Sequence, residues 1–302
     1  MIALFASSPG FFVGACFVLG LVVGSFLNVV IHRVPIMMER QWREQCAEIE
    51  HPDHAATVPA NPTTKQRFNL VVPRSACPAC KAPITALQNV PIVSYLVLRG
   101  RCASCGVRIS PRYPIVEALT GVLSAAVAWK LGFAWPVAAG LVLTWFLVAL
   151  AFIDIDHQLL PDSLTLPLLW LGLLLSLFAP APGMAPIPVE MRASIIGAIA
   201  GYLSLWTVYH LFRLLTGKEG MGYGDFKLLA ALGAWLGWRM LLPTVLIAAA
   251  VGAVAGIALL AARRQNRSTP IAFGPFLAAA GWLMLMFGHE LVTGYLGLFA
   301  HQ

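Results

Sequence analysis

Four of the five aspartates in this 302-residue chain sit beside apolar stretches, and they are the residues from which chemistry can start. Asp154 and Asp156 close an apolar run in "FIDIDHQLLPD", Asp162 follows Pro161, and Asp225 ends "GMGYGD" ahead of another apolar run. A carboxyl at the edge of hydrocarbon is costly and turns to the bundle interior or a wet cavity. Two such groups from different helices, held close, cannot easily both ionise. They share a proton, and the pair can then activate a water while polarising a carbonyl. That is aspartyl-protease chemistry, and it needs no nucleophile, metal or cofactor. Each acid also has a plainer reading. Asp162 precedes "SLTLPLLW", where it suits a helix start; Asp225 could cap the short run that follows it; His157 reads as an interfacial polar group. Spacing alone leaves Asp154 and Asp156 as rival partners for Asp225. The alternating Gly220, Gly222 and Gly224 allow another backbone to approach the acid, with Gly222 and Gly224 as access positions; close helix packing is the alternative.

A second constellation is "CPAC" (Cys77 to Cys80) and "CASC" (Cys102 to Cys105), two C-x2-C pairs separated by 21 residues. Each pair places two thiolates on a tight turn, and two turns close a tetrahedral sulfur site of the structural zinc type. Redox-active pairs and disulfides compete with that reading. A reducing compartment argues against disulfides, and "CPAC" lacks the strand-then-helix setting of a thioredoxin site. Cys16 and Cys46 read as ordinary residues. His51 and His54 are read as loop residues, since four thiolates already complete the site.

The elements that must position these groups are membrane helices. The chain is 59% hydrophobic and 11% charged, with a mean hydropathy of +0.79, outside the soluble globular range. Apolar runs of spanning length fall at 11–31, 113–133, 135–153, 163–179, 193–213, 241–262 and 271–297, and a shorter one at 226–238. The expected fold is therefore an all-α polytopic membrane protein of about eight transmembrane helices. Three parts are expected: a first helix over 1–32, a small cytoplasmic zinc-binding loop domain over 33–112, and a membrane core over 113–302. Between 178 and 190 the chain reads as a Pro-rich outer loop. With the N-terminus outside, all basic residues but Lys130, Arg192 and Arg239 fall on the inner side. The same orientation puts all four border aspartates on the cytoplasmic face. A net charge of +7 clustered in loops is explained by topology, so nucleic acid is not expected as a partner.

Taken together, these motifs resemble the type IV prepilin peptidases. The likeness is carried by "GSFLNVVIHRVP" (Gly24 to Pro35), both cysteine pairs, "RYPIVEALTG" (Arg112 to Gly121), "IDIDHQLLPD" and "GKEGMGYGDFK". The resemblance implies a G-x-G-D aspartyl protease of the bacterial inner membrane with Asp154 and Asp225 as the catalytic pair, which settles what spacing leaves open. It also implies the reaction. A short basic leader is removed after a glycine from prepilins and type II secretion pseudopilins, and the new N-terminal residue is methylated with S-adenosyl-L-methionine. Four cysteines favour the bifunctional form over a peptidase without methyltransferase activity. No Gly-rich nucleotide signature is present, so cofactor contacts stay unassigned. Membrane lipid surrounds the spans, and the sequence leaves a homo-oligomer open. A proton-coupled transporter is the rival from another class, and it would place its acids near the midplane.

Overall fold

The structure, a computed structural model, describes residues 5, 7–50, 68–85, 87–179, 187–218, 220–261 and 272–300. His51 and His54, and much of the Pro-rich stretch between 178 and 190, lie outside them. Among the described residues the chain is helical, with two isolated β-bridges and no named strand. In chain order the helices are α1 (Pro9–Glu50), α2 (Val93–Val97), α3 (Arg112–Leu131), α4 (Pro136–His157), α5 (Asp162–Ser176), α6 (Met191–Thr216), α7 (Tyr223–Leu236), α8 (Leu241–Ala261) and α9 (Gly274–Ala300).

Six of these are long and apolar enough to cross a membrane: α1, α3, α4, α6, α8 and α9, with α8's span counted from Trp238. The other two expected spans are short. Helix α5 has 15 residues and α7 has 14, reaching ~23 Å and ~21 Å at ~1.5 Å per residue, below the ~30 Å hydrocarbon core. Burial explains how α7 tolerates that shortfall. Every residue from Leu228 to Gly237 is buried, so α7 is a central pin wrapped by other helices rather than a lipid-facing span. The first helix also departs from expectation, because no break marks residue 32: α1 continues through the expected boundary to Glu50. Arg33, inside it, is buried and donates to the carbonyls of Asn69 at 2.8 Å and Pro73 at 2.6 Å.

Close approach of backbones sets the packing, as expected where lipid gives helices no hydrophobic reason to associate. Gly197 of α6 and Gly233 of α7 meet so closely that a Cβ on either would strike the other's carbonyl. Ser194 seals the same seam by donating to the Ala234 carbonyl at 2.6 Å. On the far side, Trp235 lies against Gly172 of α5 and its indole N–H reaches the Leu168 carbonyl at 2.8 Å. Helix α9 docks on α4 through Trp282, whose N–H donates to Thr144 at 3.2 Å. In α1, Gly20 and Gly24 admit α3 at Gly121, Ser124 and Glu117. The pin α7 is thereby fixed in depth, and with it the acid at its first turn.

Candidate functional site

Three chain segments converge at one end of the bundle. Helix α4 runs apolar for five turns and delivers Asp154 and Asp156 in its last turn before Gln158, in the left-handed conformation, ends it. Pro161 then sets the start of α5, with Asp162 as its first residue. Gly222 is the extended residue that begins α7, and Asp225 lies in that helix's first turn. Its backbone N–H reaches the Gly222 carbonyl at 3.2 Å, and no side chain caps the helix.

The four border aspartates divide into two kinds. Asp156 forms an ion pair with Arg112, whose guanidinium also lies over the Phe152 ring. Asp162 accepts from the Lys227 ammonium on both carboxylate oxygens, at 2.6 and 2.7 Å, and so serves as a partner across helices rather than as a side-chain cap. Asp154 and Asp225 are different. They are only 5% and 7% exposed, and among the described residues no cation pairs with either. They come from helices 71 residues apart in sequence, yet the glycine next to Asp225 and the glycine that donates to Asp154 pack on one side chain, Leu160.

Leu160 and Gly274 build the floor between them. Leu160 packs beside both glycines: a Cβ at Gly224 would lie 2.7 Å from Leu160 Cβ, and one at Gly274 would lie 3.2 Å from Leu160 Cδ1. Gly274, at the start of α9, donates its N–H to Asp154 Oδ2 at 3.0 Å. The glycines before Asp225 play separate parts. A Cβ on Gly222 would meet only Asp225 Oδ2, at 3.9 Å, so the space beside that acid is open. Gly224 has a packing reason of its own in Leu160. Sequence reasoning missed Leu160 and Gly274, and counted Arg112 and Lys227 only as topological charges. Nothing in the spacing links Gly274 to an acid 120 positions away.

His157, beside these acids, is exposed. A buried carboxyl elsewhere, Glu117 of α3, accepts the backbone N–H of Ile92 at 2.8 Å and belongs to a different part of the molecule.

Outside the bundle, the two cysteine pairs adopt one geometry twice. The carbonyl of Cys77 accepts from Lys81 and that of Cys102 from Gly106, each at 2.9 Å, with φ of 59° and 70° at the donors. A single bridge closes each turn, Ala76 to Pro83 and Arg101 to Arg108. Cys77, Cys80, Cys102 and Cys105 bring their sulfurs within 4.8 Å of one another, and all are free thiols. Backbone N–H groups of Cys80 and Ala79 pull the Cys77 thiol down to about 6, and those of Cys105 and Ser104 pull Cys102 down. At Cys105 the Val107 N–H also favours the thiolate, but desolvation and the neighbouring sulfurs outweigh it and push this thiol up to about 11. A set whose first members ionise readily and whose last resists is one that a bound cation completes. The four residues therefore fit a metal ion.

Comparison with known proteins gives a consistent picture. Residues 18–131 match the Bacterial Peptidase A24 N-terminal domain, and residues 141–257 match the Type IV leader peptidase family. The chain is 52% identical to a "Prepilin leader peptidase/N-methyltransferase" of Stutzerimonas stutzeri, with 96% of each chain covered. Proteins of that name from Pseudomonas aeruginosa and Neisseria gonorrhoeae are each 50% identical, covering 96% and 88% of this chain and 96% and 87% of their own. No solved structure gives a significant match.

Proposed function

Because this chain belongs to the family of prepilin leader peptidases and N-methyltransferases, we propose that Asp154 and Asp225 are the catalytic pair with which it removes prepilin leaders. It is a membrane enzyme with protease and methyltransferase activity. The observation that carries the site assignment is the division of the acids: two are neutralised by Arg112 and Lys227, and two are buried with no cation paired to them among the described residues.

The chemistry follows from a shared proton. One carboxylate of the pair takes a proton from water, whose oxygen attacks the carbonyl carbon of the leader's last residue. The protonated partner donates to the carbonyl oxygen, and collapse of the tetrahedral species sends a proton to the departing amine. Gly222 leaves room for the scissile backbone beside Asp225. Gly274 holds the Asp154 carboxyl by one N–H and leaves its other oxygen for water. Helix-end placement of both acids, rather than placement at mid-membrane, supports a border protease over a transporter.

The basic loops orient the chain with its N-terminus outside, so the acids face the cytoplasm of the inner membrane, where a basic leader is retained. Substrates are prepilins and pseudopilins. Zinc is the ion assigned to Cys77, Cys80, Cys102 and Cys105, which hold it for structure within a unit spanning about 33–112. S-adenosyl-L-methionine supplies the methyl group for the new N-terminus. Incubating the purified chain with a prepilin, with and without S-adenosylmethionine, and weighing the product tests both activities. An unchanged prepilin mass refutes the peptidase, and a cleaved but unmethylated product refutes the second activity.

A further inference from the structure

From the first cysteine turn's far side to α3, residues 90–111, which include the second cysteine turn, carry three features that neither reaction uses. The first is a concavity of about 580 Å³ lined by Tyr95, Arg99, Arg101 and Arg108. Arg101 and Arg108 face each other across an antiparallel bridge, an arrangement in which like charges repel. Among the described residues no carboxylate pairs with any of the three arginines. Guanidinium forks set this way suit the oxygens of a phosphate.

The second feature is apolar. Helix α2 leaves Val93, Leu96 and Val97 exposed, the last two at 68% and 75%. Directly after it, the chain folds back so that Gly100 donates to the Tyr95 carbonyl at 2.8 Å, with the Tyr95 ring against it. The exposed valines and leucine thus share one short helix with Tyr95, which lines the arginine site.

The third feature is depth. Ile92, just before α2, donates its N–H to Glu117 at 2.8 Å. Glu117 stands five residues beyond Arg112, the first residue of α3, a rise of ~7.5 Å into the span. Arg112 itself pairs with Asp156 at the end of α4, so α3 and α4, both long and apolar enough to cross a membrane, have neighbouring ends there. The start of α2 is thus tethered at the level of the hydrocarbon edge, where an apolar face meets acyl chains and arginines meet headgroups.

We propose that residues 90–111 form an interfacial anchor in which Arg99, Arg101 and Arg108 bind the phosphate of an anionic phospholipid while Val93, Leu96 and Val97 enter the acyl boundary. The anchor holds the cysteine turns against the bilayer beside the peptidase face. It stands independently of the roles given to the aspartates.

The test uses the full chain in nanodiscs of phosphatidylcholine alone or mixed equally with phosphatidylglycerol, with amide exchange followed over 93–108. Exchange is expected to slow in the mixed discs by about fivefold for each arginine engaged. The triple variant R99Q/R101Q/R108Q is expected to lose that slowing while α3 and α4 exchange as in wild type. Equal exchange in both lipids, or slowing that survives R99Q/R101Q/R108Q, overturns the proposal. L96S/V97S should speed exchange of α2 in both discs, and unchanged exchange would show that α2 does not enter the bilayer. Inorganic phosphate added to neutral discs separates the sources: slowing equal to that from phosphatidylglycerol assigns the site to a free phosphate and refutes the lipid. Slowing by an acidic pilin peptide in neutral discs, with none from phosphatidylglycerol, makes the surface a substrate contact and refutes it as well.

Discussion

Gly274→Ala puts the proposed protease geometry at risk through a single methyl group. A Cβ on Gly274 would lie 2.5 Å from Asp154 Oδ2, whereas ordinary contact begins at 3.4 Å. The carboxyl or the start of α9 must therefore yield by about 0.9 Å, the difference between those distances. Leu160 Cδ1, 3.2 Å from the same Cβ, blocks the other way out. A displacement near 1 Å of a group that positions a water costs on the order of a hundredfold in rate. The hydrogen bond from the Gly274 N–H is strained as well, so loss of cleavage should exceed any loss of stability. The assay is cleavage of a purified prepilin followed by mass, alongside thermal melting and methylation of a synthetic peptide that already bears the mature N-terminus. The expected result is cleavage slowed about a hundredfold with methylation retained and melting little changed. A folded Gly274→Ala variant that cleaves at the wild-type rate refutes the placement of Asp154.

Gly222→Val tests access rather than position: its side chain enters open space, so cleavage should fall without a change in melting, and wild-type cleavage would remove the access role. Gly197→Leu drives a side chain into the Gly233 carbonyl at the α6–α7 seam and should leave little folded protein, as judged by size exclusion in detergent; a normal yield would contradict the central position of α7. Metal analysis of the purified chain should find about one zinc per chain, and Cys77→Ser or Cys105→Ser should lose it; zinc-free protein with paired thiols would overturn the site. Lys227→Ala removes a partly exposed ion pair and should shift stability by no more than ~1 kcal/mol, measured by melting.

Much of this was legible because membranes simplify the code. Apolar length located six spans directly, and the C-x2-C spacing located the sulfur cluster. The short pin α7 was harder, since a run of that length reads equally as a tilted span or a re-entrant piece. What decides it is burial on every side, a property of its neighbours and not of its own residues. Within the site, spacing left Asp154 and Asp156 level. Their difference lies in Arg112, 42 positions before Asp154, whose reach to Asp156 depends on how α3 packs against α4. Gly274 gave no signal for the same reason: its N–H matters only because α9 begins beside the end of α4. The long first helix was hidden by its polar residues after 32, which suggested a loop where the backbone stays helical to Glu50.

The most direct test of the proposed site compares four conservative variants, Asp154→Asn, Asp156→Asn, Asp162→Asn and Asp225→Asn, by the mass of a prepilin after incubation with each purified enzyme. Asp154→Asn and Asp225→Asn should leave the leader attached, while Asp156→Asn and Asp162→Asn, which lose only ion pairs to Arg112 and Lys227, should remove it. Leader removal by Asp154→Asn or Asp225→Asn, or its loss in a folded Asp156→Asn, would contradict the assignment.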